Sequence, residues 1–212
     1  MITLPLNHVR AVSYAMAVKD VRYYLQGMCV QYNGIQTRVI ATNGHRVHII
    51  VTDHEHAQHI KPVQFIVPSD VVKTLLKFKS KQHKTPSVEF ALLPDGKVSA
   101  TLPDGMTLNF ASVDGQYPDI TRIIPQGELV SSAGNFNWQY LQDAVDGFSD
   151  YMGRECSPHI MQRGKDSAIL SYEGFTAIVM TMRTDACELT VDSRLYAPIA
   201  TPTPATADPV AA

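Results

Sequence analysis

The stretch QFIVPSDVVKTLLKF at residues 64–78 joins two different periodicities across a proline. QFIV is a short apolar run suited to a strand, and the residue before Pro68 is held extended. In SDVVKTLLKF the apolar Val72, Leu75 and Leu76 recur at helical spacing, and Ser69 is the expected N-cap. A strand therefore turns directly into an amphipathic helix. The same plan occurs twice more. ITLPL at residues 2–6 leads into NHVRAVSYAMAV, where Leu6, Val9, Val12 and Met16 form the stripe and Pro5 suits the first turn. GNF at residues 134–136 leads into NWQYLQDAVDGF, with Asn137 as the cap and Leu141, Ala144, Val145 and Phe148 inward. Each helix is expected to run about three turns. The starts recur about every 65 residues, which leaves room for one helix and about four strands in each repeat.

Between the helices the signals are those of strands and tight turns: RYYLQGMCVQYNG, QTRVIATNGHRVHIIVT, SVEFALLPDG, KVSATLPDG and MTLNFASV. Asn33-Gly34, Asp95-Gly96 and Asp104-Gly105 separate apolar or alternating runs and predict hairpins. Antiparallel sheet follows. A helical stripe and an apolar strand face are buried against each other, so the expected class is α+β, built from about three helix-plus-antiparallel-sheet units.

The chain has 212 residues, 45% of them hydrophobic and 18% charged, enough to bury a core in one large or two small domains. It has no apolar run of membrane-spanning length, and MITLPLNHVR has no secretory pattern, so a cytoplasmic protein with no membrane role is expected. Cys29, Cys156 and Cys187 are odd in number and widely spaced, which predicts reduced, structural thiols. A net charge of -2 argues against tight autonomous DNA binding. Lys73, Lys77, Lys79, Lys81, His83 and Lys84 nonetheless crowd one helix end and the loop after it. They suit either a solvated helix C-terminus or a DNA-facing patch. From Ala197 the chain is rich in Pro, Ala and Thr without apolar periodicity, so residues 197–212 are expected to be a disordered tail.

No arrangement of residues specifies catalysis. Asp53, His54, Glu55, His56 and His59 hold metal-ligand types, but adjacent and alternate residues do not converge on one point, and a polar loop is expected. Serine and cysteine occur without a nucleophile elbow, and phosphate-cradling glycine motifs are missing. The expectation is a protein that is not an enzyme and needs no metal or cofactor. Above this background stand DVRYYLQGM at 20–28, ATNGHRVHI at 41–49, DGQYPDITRIIP at 114–125 and AIVMTMR at 177–183.

In order and spacing, these four stretches resemble segments of the bacterial DNA polymerase III beta subunit family, the sliding clamps. The resemblance covers residues 1–125 as one complete clamp domain of two repeat units. It resumes near Phe136 as a partial domain, residues 126–196, with one repeat unit and an extra strand. Thr181 departs from the family's usual proline, and the chain runs on past Arg183 where the family stops. The reduced set of units suits a phage- or mobile-element-encoded member.

The resemblance implies a processivity factor that surrounds double-stranded DNA without reading its sequence. It also implies a homo-oligomeric ring and a hydrophobic pocket that takes linear motifs from DNA polymerase and clamp-loader subunits. The positions matching the pocket lining are Leu25, Thr42, Gly44, His45, Arg46, Val47, Pro118, Arg122, Ile123, Ile178, Val179, Met180, Met182 and Arg183. Methionines and branched aliphatics give such a pocket an adaptable floor. The residues expected to face DNA are Lys19, Arg22, Tyr23, Tyr24, Lys73, Lys77 and Lys79, which offer charge for phosphates and rings for stacking. The rival reading is a clamp mimic that competes for clamp partners or joins a host ring without sliding on DNA.

Overall fold

The computed structural model describes residues 1–53, 61–80, 85–125, 128–129, 134–164 and 166–182. The 54–59 histidine loop, Lys81, His83, Lys84, Arg183, Cys187, the expected extra strand and the 197–212 tail lie outside the described residues. In chain order the strands are β1 (Ile2–Pro5), β2 (Met28–Tyr32), β3 (Gln36–Thr42), β4 (Arg46–Asp53), β5 (Val63–Val67), β6 (Ser87–Leu92), β7 (Val98–Thr101), β8 (Thr107–Phe110), β9 (Met161–Arg163), β10 (Ser167–Tyr172) and β11 (Phe175–Met180). The helices are α1 (Leu6–Ser13), α2 (Ser69–Leu76) and α3 (Trp138–Met152).

Each helix follows an extended residue directly, and the chemistry of that junction differs between them. Pro5 and Pro68 take the cap positions of α1 and α2 without a side-chain hydrogen bond. Ser69, expected as a cap, is instead the first helical residue, because Pro68 is already extended and carries the chain straight in. At α3 the cap is Asn137 as expected, its Oδ1 accepting from the Gln139 amide at 2.9 Å. The expected three turns also need correction, since α1 and α2 have 8 residues each and α3 has 15. Helix α2 stops where the Lys77 and Phe78 amides tighten onto Thr74 and Leu75. In contrast, α3 runs on to Gly153, whose φ of 67° lets the Arg154 amide close back on Ser149.

The three hairpin dipeptides sit where expected, at the β2–β3, β6–β7 and β7–β8 turns. What joins the units is an exchange of strands. One sheet has the order β1-β6-β7-β8 and the other β5-β2-β3-β4-β11-β10-β9, and every pairing is antiparallel. The strand before α1 thus lies on the sheet of the second unit, and the strand before α2 on that of the first. The third unit joins edgewise, β11 along β4.

Alternation along the seven-stranded sheet divides its apolar residues between two clusters. Met28, Val30, Val39, Ala41, Ile50, Ala177 and Val179 face the helices, together with Val9, Val12, Leu75, Ala144 and Phe148. Cys29, Ile40, Val47, Ile49, Ile66 and Ile178 face the other way. Burial pushes the Cys29 thiol up to about 12, so it stays protonated and acts as a small apolar side chain. No helix among the described residues is long and apolar enough to cross a membrane.

Candidate protein-binding face

On the face of the seven-stranded sheet away from the helices, register aligns one row of directly opposed residues: Thr42, Val47, Ile178, Ile169 and Met161 on β3, β4, β11, β10 and β9. Directly opposed residues share a face, so the apolar members form a continuous strip across the β4–β11 joint. The segment after β8 covers part of this face. The Val113 amide donates to Ile66 O, and Tyr117 and Ile120 are buried in the outer cluster. Burial raises the Tyr117 phenol above its ordinary range. Beyond that cover, Ile123, Met180 and Met182 are 40%, 43% and 52% exposed, an apolar rim in contact with water.

Two short-range devices fix the chain beside this face. In the turn from β3 to β4, Asn43 Oδ1 accepts from the His45 and Arg46 amides, while the Thr42 hydroxyl donates to Arg46 O and accepts from the Gly44 amide. Gly44 has φ of 89°, and a Cβ there would lie 3.1 Å from the Arg22 guanidinium. A single-turn 3-10 helix, Tyr23–Gln26, delivers Leu25 into the outer cluster, with the Ala17 amide donating to Leu25 O. Arg22 forks onto Asp20, whose carboxyl this pairing holds down to about 2.

Of the residues matched to the pocket, Leu25, Thr42, Val47 and Ile178 share this buried outer face, and Gly44, His45, Pro118, Arg122, Ile123, Met180 and Met182 are exposed around it. Two others point elsewhere. Val179 belongs to the helix-side core, and Arg46 reaches in to pair with Asp143 of α3, bond Tyr14 O and lie 4.5 Å over the Tyr140 ring. Tyr117, Ile120, Ile169 and Met161, which the sequence did not single out, belong to the same face. For Ile169 and Met161 the signal was the alternation in each strand, which is uninformative until the register is known, and Tyr117 and Ile120 lie outside the strands, within the stretch 114–125.

The residues expected to face DNA separate into two groups. Lys73 and Lys77 are exposed on and just after α2, followed by Lys79, on the helix side. Tyr24 packs against the outer cluster, and Arg22 touches the β3–β4 turn, with Lys19 and Tyr23 exposed on the same connection.

Helix-backed antiparallel sheets, with strands exchanged between repeated units and a face at their edgewise joint, define the DNA-clamp class of fold. The description "DNA polymerase III beta subunit, central domain" matches residues 5–119, and the chain belongs to that family. The beta sliding clamp of Pseudomonas aeruginosa is 34% identical over 115 residues, covering 54% of this chain and 30% of that protein. The Haemophilus influenzae clamp is 30% identical over 147 residues, 66% of this chain and 37% of that protein. The matched stretch therefore spans only about a third of these relatives' length. A crystal structure of the Pseudomonas aeruginosa DNA polymerase sliding clamp superposes with TM-score 0.68 at 22% identity, over 86% of this chain and 66% of that one. The DNA polymerase III beta chain of Streptococcus pneumoniae gives 0.66 at 14% identity, over 86% and 64%.

Proposed function

We propose that this chain is a sliding-clamp-like processivity factor that acts by binding: it tethers replication proteins through the β4–β11 face and surrounds DNA as part of a closed assembly. Residues 1–125 serve as one complete clamp domain and residues 126–196 as part of another. The observation that carries the reading is the apolar strip through Val47 and Ile178, rimmed by exposed Ile123, Met180 and Met182. It suits an extended peptide with one or two large apolar side chains. In calorimetry, a peptide bearing a clamp-binding motif is expected to bind. Met180→Asp should weaken it by about 2 kcal/mol, because the methionine becomes a desolvated charge on binding. A wild-type chain that binds no such peptide refutes the assignment.

DNA contact falls to Lys73, Lys77 and Lys79, since Arg22 and Tyr24 sit with the peptide face. So few cations make a shallow, salt-sensitive contribution, and residence must come from topology. Retention on closed circles but not on linear DNA, lost when Lys73 and Lys77 become glutamate, is the expected result. One observation favours the mimic instead. Helix α3 carries Asp146 and Asp150 beside the Asp143 that Arg46 neutralises, and has no lysine or arginine. Peptide binding with no retention on circles, at any salt concentration, would decide for that reading.

A further inference from the structure

Three strands of the seven-stranded sheet change character at the same row. On the outer face Cys29, Ile40 and Ile66 belong to the apolar cluster, and the segment after β8 crosses there, its Tyr117 hydroxyl donating to Ile40 O and its Val113 amide to Ile66 O. Two residues further along each strand stand Gln31, Arg38 and Gln64, directly opposed across β2, β3 and β5. A side-chain period of two keeps them on the same face as the apolar row. They line a cleft of about 390 Å³, together with Asn33 of the β2–β3 turn and Pro62 ahead of β5.

The hydrogen-bonding groups of this row are only half used. Gln31 Nε2 donates to Gln64 Oε1 at 2.9 Å, which leaves Gln31 Oε1 to accept and Gln64 Nε2 to donate. Together they match one peptide group, which offers one N–H and one C=O. Arg38 is half-buried and is the one charged side chain among the described residues that line the cleft. Among the described residues no carboxylate pairs with it. Asp53, on the same face beyond it, accepts from Gln36 Nε2 at 2.9 Å instead. A partly desolvated guanidinium without a counter-charge is a ready site for a planar anion.

We infer that this cleft takes an extended segment of a partner protein that bears an acidic side chain, its backbone on the Gln31–Gln64 pair and its carboxylate on Arg38. Neighbouring strands lie about 4.8 Å apart, so a carboxylate one side chain away from the bound peptide group reaches from the pair to the guanidinium. The inference goes beyond the apolar face and does not rest on it. Thr42 at that face and Arg38 here are four residues apart on β3, about 13 Å, with Ile40 and its cover between them. Either site can therefore fail while the other stands.

The test is an NMR titration of the isotope-labelled full chain with acetyl-Ala-Ala-Glu-Ala-Ala-amide. Its capped ends leave one carboxylate, and it has no large apolar side chain for the strip through Val47 and Ile178. Millimolar affinity is expected, with the side-chain amide resonances of Gln31 and Gln64 and the Arg38 Nε resonance moving together. The same peptide with glutamine in place of glutamate should bind on the order of tenfold weaker, and added salt should narrow the difference. Arg38→Gln should bind the two peptides alike. Gln64→Ala, at an exposed position, should weaken both by a similar factor with circular dichroism unchanged. Equal binding of the two peptides by the wild type, or a preference that survives Arg38→Gln, would overturn the inference. So would shifts at Ile123 and Met180 in place of the cleft, no shift at millimolar peptide, or acetate that moves the same resonances as strongly as the peptide does.

Discussion

Asp143→Ala is expected to destabilise the fold by about 3–5 kcal/mol, measured as a shift in urea midpoint at unchanged slope. Arg46 is 9% exposed and its guanidinium has three neighbours: the Asp143 carboxylate, Tyr14 O and the Tyr140 ring. Its Nε is buried without a partner among the described residues, so little other than Asp143 offsets its charge. Removing the carboxylate strands a buried cation at the meeting of β4, α1 and α3. Gln139, which donates to Asp143 Oδ1 at 2.9 Å, loses its acceptor as well. Replacing the pair together, Arg46→Met with Asp143→Leu, should recover most of the loss, because no unpaired charge remains. A cost under about 1 kcal/mol for Asp143→Ala would mean that water reaches Arg46 in solution.

Acidification from pH 6.5 to about 5 is expected to lower the stability of the fold progressively through its histidines, ahead of most carboxylate titration. His48 is wholly buried, with its Nδ1–H donating to Ala11 O at 2.8 Å and Nε2 facing no partner among the described residues. Burial, with a smaller contribution from Arg46, lowers its pKa to about 4, and burial does the same to His8 against Tyr151. Above pH 6.5 both imidazoles are neutral in the folded and unfolded chains, and their contribution is fully present. As pH falls the unfolded chain takes up protons that the fold refuses, so stability declines by up to about 1.4 kcal/mol per pH unit for each histidine. The loss reaches about 3 kcal/mol at most for each near pH 4. Asp20, held low by Arg22, acts in the opposite sense, and its stabilisation is lost only below about pH 3.8. Melting curves of wild type and His48→Gln across this range test the assignment. A wild-type midpoint that stays level from 6.5 to 4, or a variant with the same slope, contradicts it.

Sequence-local signals located the helices and turns. Asn137 as a cap, the hairpin dipeptides and the apolar stripes follow from interactions within a few residues, which a linear reading contains. Where two local rules competed at one junction, the reading failed. Ser69 is a good capping residue, yet Pro68 before it had already fixed the extended backbone, and α1 and α2 stopped a turn early. The candidate site was legible as a set of stretches and only in part as a surface. Val47 and Ile178 meet across β4 and β11, whereas Arg46 and Val179, one step along the same strands, turn to the helix side.

By itself, then, the sequence determined that this chain is α+β, that its units repeat, and which stretches carry the clamp family's signature, because periodicity and turn chemistry are short-range. Only the tertiary structure decided that β1 and β5 trade places, that β11 lies along β4, and that Arg46 spans 97 residues to Asp143. Those pairings are set by register, and a strand has period two, so a slip of one residue exchanges core for surface without altering any local pattern.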